Sequence, residues 1–230
     1  MKAKAPVNAQ AATKLVRQLA GFLAAPRAET RAPYAARAFH RAFEAMARKE
    51  PVACRAGCNY CCHQVVSARA PEIFLLARAV AAQPPEQRTV LAARVREAAA
   101  AVDGMTVAER HRRNLPCPLL EDGRCAVYAD RPLACRAFAS TDVEACARAF
   151  AHEPVPIPVP RAAMELRGVL TRAGEAAARI AGLPDGQYEL IRAMAIVLDD
   201  PEAEAKWLAG TDVLAPADAR RLVPGAPTGA

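Results

Sequence analysis

The chain has 230 residues, of which 53% are hydrophobic but only 5% are aromatic, and its formal net charge is +7. This composition disfavours a β-sandwich, whose strands are rich in β-branched and aromatic residues, and favours packed helices. No apolar run approaches the roughly 18 residues of a membrane span, and Lys14 and Arg17 interrupt any apolar signal segment in residues 1–32. The sequence therefore predicts a cytoplasmic protein without a membrane span.

Two amphipathic helices are predicted at the N-terminus. Apolar residues recur at helical spacing over residues 9–24 and again over residues 34–49. Pro33 just precedes the second of these helices and Pro51 follows it, as helix start and stop signals do.

The middle of the chain is predicted to alternate helices with cysteine-rich loops. Proline positions, helical spacing and capping residues predict a loop over 54–62, an extended run over 64–67, helices over 71–82 and 85–103, and a short helix capped by Thr106 and Glu109. Asp122–Gly123 is a two-residue hairpin signal between short apolar runs. A second capping box, Thr141 with Glu144, predicts a helix that ends near Phe150 and carries Cys146 in its second turn.

The C-terminal part is predicted to be a proline-rich linker followed by helices. Four prolines alternate from Pro154 to Pro160, a pattern typical of extended or polyproline II chain. The helices that follow are predicted over residues 161–181, 186–199 and 201–209. Asp200 is predicted to cap the last helix, with Pro201 as its first residue.

These elements predict a mainly α protein: an irregular helical domain with a cysteine-ligated metal centre and one or two short β-hairpins. The predicted divisions are a basic N-terminal helical pair (1–51), a cysteine-cluster metal-binding domain (52–153), C-terminal helices packed on it after the proline linker (154–214), and a flexible tail (215–230).

Eight cysteines are the feature that bears most on function. They fall into two groups: Cys54, Cys58, Cys61 and Cys62, then Cys117, Cys125, Cys135 and Cys146. Clustered cysteines in a reducing compartment indicate metal or redox chemistry more often than disulfides. Thiolate is a soft ligand that suits zinc and iron–sulfur centres. All eight are therefore candidate metal ligands, although free cysteines are also common as small buried hydrophobic residues.

The sequence leaves the grouping of these ligands open. Eight thiolates could complete two four-sulfur sites, or one centre with the remaining cysteines as bystanders. Adjacent side chains diverge, so Cys61 and Cys62 are expected either to serve two nearby centres or to leave one sulfur outside. A strict hairpin at Asp122–Gly123 would put Cys117 and Cys125 on opposite faces, unless the hairpin starts only after Pro118.

Several basic residues flank the cysteines. Arg55, Arg131 and Arg136 could offset thiolate charge or could simply be solvated. His63 follows Cys62 directly and is a weaker candidate for an additional ligand.

The first cysteine group resembles a known cluster loop. Cys54-x3-Cys58-x-Tyr60-Cys61 is similar to the loop of radical-SAM enzymes, including the aromatic residue before the last cysteine. The chain lacks the strands of the parallel barrel that those enzymes need. This resemblance therefore implies only that the loop could hold an iron–sulfur cluster.

A broader resemblance covers about residues 52–150. CRAGCNYCCHQVVSARAPE, which ends at Glu72, and CPLLEDGRCAVYADRPLACRAF resemble the two halves of the CxxCxxCC (YkgJ-type) family of zinc- or iron-chelating domain proteins. The spacer between Cys54 and Cys58 is one residue longer than the family name implies, which makes Cys54 the least secure ligand. The resemblance implies metal binding, in many members described as iron–sulfur. Flagellin lysine methylases look similar in the cysteine region, but this chain has no glycine-rich nucleotide loop after a strand.

These observations favour an iron–sulfur protein with a redox, sensing or cluster-supported role. The alternative is a zinc-stabilised structural or interaction module without catalysis. A lesser alternative is nucleic-acid binding, because residues 1–62 contain 11 basic and only 3 acidic side chains and Arg37, Arg41 and Arg48 share one helix face. No hydrolytic constellation or nucleotide fingerprint is present, so catalytic residues and the protein or redox partner remain unassigned.

Overall fold

The computed structural model describes residues 9–25, 31–47 and 50–222. Over these residues the chain is mainly helical, with two small antiparallel sheets of two strands each, which confirms the predicted fold class. The helices are α1 (Ala9–Ala24), α2 (Arg31–Met46), α3 (Ala70–Ala81), α4 (Pro85–Ala101), α5 (Val107–Arg113), α6 (Leu133–Ala137), α7 (Val143–Phe150), α8 (Arg161–Ile180), α9 (Leu190–Asp199) and α10 (Ala203–Leu208). The strands are β1 (Ser67–Arg69), β2 (Leu120–Glu121), β3 (Arg124–Cys125) and β4 (Gln187–Glu189).

The N-terminal helices pack on the rest of the molecule through their apolar faces. α1 contacts α2 and α8, and α2 contacts α3. α2 begins at Arg31, three residues earlier than predicted, so that Pro33 lies within its first turn instead of before it. Proline is tolerated there because the first helical N–H groups have no partner within the helix. Residues 48–49, including Arg48, lie outside the described residues.

One hydrophobic core joins the N-terminal, cysteine-bearing and C-terminal parts. α3 supplies its centre, since Ile73, Phe74 and Leu76 are at most 1% exposed. α9 packs against α3 and α4, and the ring of Trp207 on α10 lies 5.7 Å from that of Phe74. Because α3 begins a few residues after the first cysteine group, this core fixes where that group lies.

The sheet of β1 and β4 was not predicted. β1 pairs antiparallel with β4, with Ser67 opposite Glu189. The helix predicted over residues 186–199 therefore begins only at Leu190, because residues 187–189 form ladder hydrogen bonds with β1. Tyr188 in this strand is fully buried, and its hydroxyl donates to Asp212 over 2.8 Å.

Capping side chains determine where α5 and α7 begin. Thr106 and Glu109 form the predicted capping box at the start of α5. The other predicted box is wrong: Asp142, not Thr141, caps α7, and its carboxylate accepts from the N–H groups of Glu144 and Ala145. The side chain of Asp142 reaches these donors because the residue is extended, as an N-cap should be.

The start of α10 also differs from the prediction. Asp200 ends α9, Pro201 lies in the turn that follows, and α10 begins at Ala203. Asp200 still accepts a hydrogen bond from the Glu202 N–H over 3.0 Å, so its carboxylate stabilises the turn between the two helices. Within the predicted tail, short 3-10 turns form at Ala215–Ala217 and Ala219–Leu222, and residues 223–230 lie outside the described residues.

A buried ion pair connects α5 to the central strand pair. Arg110 Nη1 lies 3.0 Å from Glu189 Oε1, and the two side chains are 3% and 1% exposed. The Glu189 carboxylate also accepts from the N–H groups of Ile191 and Arg192 at the start of α9. The Glu189 carboxylate thus balances the charge of the buried Arg110 guanidinium and caps α9.

Replacing this acid should test how much the fold depends on the pair. We expect Glu189→Gln to lower the free energy of unfolding by about 3–5 kcal/mol, because it leaves the Arg110 charge buried without a counter-charge. Urea unfolding followed by circular dichroism measures the change. Glu165→Gln removes an exposed pair with Arg161 on α8 and is the matched control, which should leave the midpoint unchanged. Equal effects of the two substitutions would contradict this account.

Candidate metal centre

The first four cysteines lie on a loop that ends in a 3-10 turn. Residues 50–59 have no regular helix or strand, and Tyr60–His63 form the turn. The Cys58 N–H donates to Arg55 O over 3.0 Å, and the Cys62 N–H donates to Asn59 O over 2.9 Å. Gly57 has φ +85°, a left-handed conformation that favours glycine. These bends bring Cys58, Cys61 and Cys62 close together along a short stretch of chain.

The β2–β3 hairpin forms one wall beside this loop. Asp122 and Gly123 both have positive φ, as the predicted two-residue turn requires, and Leu120 pairs with Cys125. The ladder begins only after Pro118, so Cys117 precedes it and is not forced to the opposite face from Cys125. The Cys117 N–H donates to Cys62 O over 2.7 Å, which ties the hairpin to the loop.

The short helix α6 brings in Cys135, and a buried acid holds this helix. Glu72 Oε1 accepts from the Leu133 N–H over 2.6 Å and from His40 Nε2 over 3.0 Å. Its other oxygen accepts from the Arg69 N–H over 3.1 Å. Because an ionised carboxylate only accepts, His40 must carry its hydrogen on Nε2. Glu72 therefore fastens α2, the start of α3 and the helix of Cys135 to one another.

Hydrogen bonds also determine the charge of Glu72. Burial alone would raise the pKa of this carboxyl group, but bonds from His40, Leu133 and Arg69 outweigh burial and hold the pKa below its usual value. Glu72 is only 3% exposed, so its negative charge is satisfied entirely by these neighbours.

Helix α7 forms the other wall and carries Cys146. The ring of Phe150 lies 5.6 Å from that of Tyr60 and 4.8 Å from that of His63, which packs α7 against the 3-10 turn. The Ser140 N–H, just before α7, donates to Cys54 Sγ over 3.3 Å. A hydrogen bond with Ser140 also acts on Cys146, where it lowers the thiol pKa against the stronger opposing effect of burial.

The thiols interact with one another across these segments. A hydrogen bond from Cys62 lowers the pKa of Cys61 to about 7, and the same bond raises the pKa of Cys62, which Cys117 and Cys135 raise further. Burial raises the pKa of Cys117 to about 11, and it also raises the pKa of Cys135. Most of these groups are thus neutral thiols near pH 7, and a bound cation would be needed to hold them as thiolates.

Arg131 is a cation that lies close to several of these thiols. Its guanidinium carbon is 3.7 Å from the centre of the Tyr128 ring, and its Nε is buried without a hydrogen-bond partner among the described residues. Burial and Arg136 lower the pKa of Arg131, while Cys135, Cys125 and Cys61 raise it. A fixed positive charge facing three cysteines suits an anionic thiolate centre.

The other flanking residues have different roles. Arg136 donates to Glu44 Oε1 over 2.5 Å and to Arg131 O over 2.8 Å, so it braces the Arg131 backbone. His63 Nδ1 lies 3.2 Å from Asn59 O, and its ring packs on Phe150. These contacts give His63 a structural role within the loop.

All eight cysteines are free thiols, and they lie in the loop, in the hairpin or just before it, on α6 and on α7. Among the described residues, no three Cys, His, Asp or Glu side chains already stand in a metal-ligating arrangement. The fold supplies soft donors from separate segments and a partly buried cation beside them, and this donor set fits zinc or an iron–sulfur cluster. Sequence reasoning did not assign the contacts of Glu72 with His40 and Leu133, because nothing local links these three positions.

Comparison with known proteins gives a family match for the cysteine region. The model of the family CxxCxxCC, described as "Putative zinc- or iron-chelating domain", matches residues 53–153. The matched range contains the loop, both walls and all eight cysteines. No curated protein and no solved structure matches the chain. Across the described residues, none of the helices combines the length and apolar character needed to span a bilayer.

The Glu72 contacts predict a pH-dependent loss of stability. We expect Glu72→Gln to lower the free energy of unfolding at pH 7 by about 2–3 kcal/mol, because it removes a charge from three buried hydrogen bonds. In the wild type this contribution is complete above the ordinary carboxyl pKa of 4.5 and is lost as the pH falls through the lower folded-state value. Urea unfolding at several pH values should therefore show the two proteins converging below about pH 4.5. The control is Glu153→Gln, which removes an exposed pair with Arg148; a constant difference at all pH values would refute the assignment.

Proposed function

We propose that this chain carries an iron–sulfur cluster on its clustered cysteines, because residues 53–153 match the family model of a zinc- or iron-chelating domain. The proposed ligands are drawn from Cys54, Cys58, Cys61, Cys62, Cys117, Cys125, Cys135 and Cys146. When bound, such a cluster supplies one-electron redox chemistry. A redox or sensing role follows, in the reducing cytoplasm where thiols persist.

The observation that carries this proposal is the convergence of thiols around one loop. The hydrogen bond from the Cys117 N–H to Cys62 O and the packing of Phe150 on Tyr60 and His63 bring two separate segments to residues 54–63. The contact of Glu72 with the Leu133 N–H holds the helix of Cys135 to α3, which follows this loop in the chain. Iron–sulfur clusters are held by thiolates drawn from such tight loops and from more distant segments. Arg131 supports the proposal because its charge offsets that of the ligands.

A zinc-stabilised interaction module is the second candidate. Zinc prefers four thiolate ligands in a closed structural site, and such a site would crosslink the loop, the hairpin and α6. The family description names zinc and iron together. In this case the partner would be another protein, bound by the helical surface around the centre.

Nucleic-acid binding has less support. Two of the arginines predicted to form a basic face have contacts within the chain: Arg37 lies 3.5 Å from Asp130, and Arg41 lies over the Tyr34 ring. Arginines engaged in these contacts are less available to bind the phosphate groups of a nucleic acid.

Metal analysis of the purified chain tests the proposal. After anaerobic purification we expect iron and acid-labile sulfide in similar amounts, with a brown colour that bleaches in oxygen. Colourless protein with stoichiometric zinc would overturn the cluster and favour the interaction module, since zinc(II) has no visible absorption. Protein without either metal would overturn metal binding itself.

Metal removal should loosen the cysteine region more than the C-terminal helices. Thiolate–metal bonds would be the main crosslinks between residues 54–63 and 117–146, whereas α3, α8 and α9 are held by the apolar core. Hydrogen exchange after chelation should therefore accelerate over residues 54–63 and 117–146 and change little over residues 70–81 and 161–199. Unchanged exchange over residues 54–63 and 117–146 would show that metal has no structural role there.

A further inference from the structure

Two exposed histidines meet beside the cysteine region, and the proposed function uses neither of them. His111 lies in the last turn of α5, and His152 follows the end of α7. Their ring centres are 5.7 Å apart, and the ring planes are nearly perpendicular, at 82°. The two imidazoles thus face each other at the surface although they are far apart in the sequence.

A hydrogen bond between the ends of α5 and α7 holds the two rings together. Asn114 ends α5 in a left-handed conformation, with φ 45°, and its side-chain amide donates to Phe150 O over 2.8 Å. Phe150 is the last residue of α7, and His152, two residues further on, is also left-handed, with φ 66°. His111 precedes Asn114 by three residues, about one helical turn, so both lie on the side of α5 that meets the end of α7.

The imidazole nitrogens are available as metal ligands. Among the described residues the His111 ring has no hydrogen-bond partner, and the His152 ring has one long polar contact, 3.4 Å from Nε2 to Asn114 Nδ2. Imidazole nitrogen suits zinc, copper, iron and nickel ions. Zn–N bonds are about 2.0–2.1 Å long, so two imidazoles whose ring centres are up to about 6.5 Å apart can share one ion. The separation of 5.7 Å lies within this limit.

The charges around the pair accommodate a positive ion. α5 and α7 both end here, and the carbonyl end of a helix carries a partial negative charge that favours cations. Arg112 and Arg113 follow His111, but residues one and two positions apart on a helix point to different faces. On α7, the charge of Arg148 is balanced by Glu153, the residue after His152, over 2.7 Å.

We propose that His111 and His152 form a binding site for a divalent transition-metal ion such as Zn²⁺. Each imidazole supplies one nitrogen ligand, and water completes the coordination of the ion. The site is separate from the cysteine centre, since its ligands are neutral imidazoles instead of soft thiolates. It does not depend on the proposed cluster, because no cysteine takes part.

A bound ion would crosslink the ends of α5 and α7 next to the cysteine loop. Phe150 packs on Tyr60 and His63 of that loop. His63 itself is not part of the site, because its Nδ1 lies 3.2 Å from Asn59 O within the loop. The ion would therefore stabilise the α7 wall of the cysteine region without contact to sulfur.

A zinc titration of the full chain tests the site. The protein is purified anaerobically with the metal it retains, free Zn²⁺ is set by a metal buffer, and the imidazole signals are followed by NMR. The signals of His111 and His152 should shift together, with one affinity. His111→Asn and His152→Asn, which also assign the signals, should each lower the affinity of the remaining imidazole at least about tenfold, because even outer contacts of a metal ligand are worth about 10–100-fold.

The matched control is Arg112→Gln, which changes an exposed charge beside His111 and removes no imidazole, so the joint shift should remain. A shift of one ring alone, different affinities at the two rings, or unchanged affinity in either histidine variant would overturn the site. Failure of the proposed function gives a different result: a purified chain without iron and sulfide would overturn the cluster, while the imidazole signals would still report Zn²⁺ binding at His111 and His152.

Discussion

A buried carboxylate must find hydrogen-bond donors, and Glu72 finds them on three different elements. His40 approaches from α2, the Arg69 N–H from the end of β1, and the Leu133 N–H from the start of α6. The consequence is geometric, because the helix of Cys135 cannot move relative to α2 and α3 without leaving this charge unsatisfied. The fold thereby holds Cys135 in place through hydrogen bonds in which no cysteine takes part.

The thiol cluster depends on a balance between burial and charge. Burial favours neutral thiols at Cys117 and Cys135, whereas Arg131 favours thiolates at Cys61, Cys125 and Cys135. One guanidinium cannot balance four negative sulfurs, but it can reduce the residual charge of a metal–thiolate centre. The Tyr128 ring, whose centre lies 3.7 Å from the guanidinium carbon, attracts this charge by a cation–π interaction.

Features encoded by neighbouring residues could be predicted from the sequence. The helix over Ala9–Ala24, the capping box of Thr106 and Glu109 and the turn at Asp122–Gly123 all depend on residues a few positions apart. The sequence predicts helix at β4, and the pairing of β4 with β1 is a tertiary contact that overrides this local preference. The sequence predicts the cap of α7 at Thr141 because several cap-forming residues stand together, and only the backbone conformation selects Asp142.

The sequence predicts which residues form the candidate site better than it predicts how they are arranged in space. Spacing and thiol chemistry identify all eight cysteines as candidate ligands, and the family match supports metal binding by their region. The register of the hairpin explains why the side chains of Cys117 and Cys125 need not point to opposite faces, since the ladder begins only after Pro118. The divisions of the chain into domains, and the ligation itself, stay predictions.

The pairing of β1 with β4 has a consequence for how the chain is assembled. Ser67 and Glu189 are neighbours in space, yet everything from α3 to α8 lies between them in sequence. Closing a loop of about 120 residues carries an entropy cost that only later contacts can offset. The hairpin, α6 and α7 all belong to this loop, and α1 packs on α8 near its end. Any state in which residues 187–189 have not yet docked would leave β1 with an unpaired edge, so the last residues to reach this sheet protect a strand that lies next to the cysteine loop.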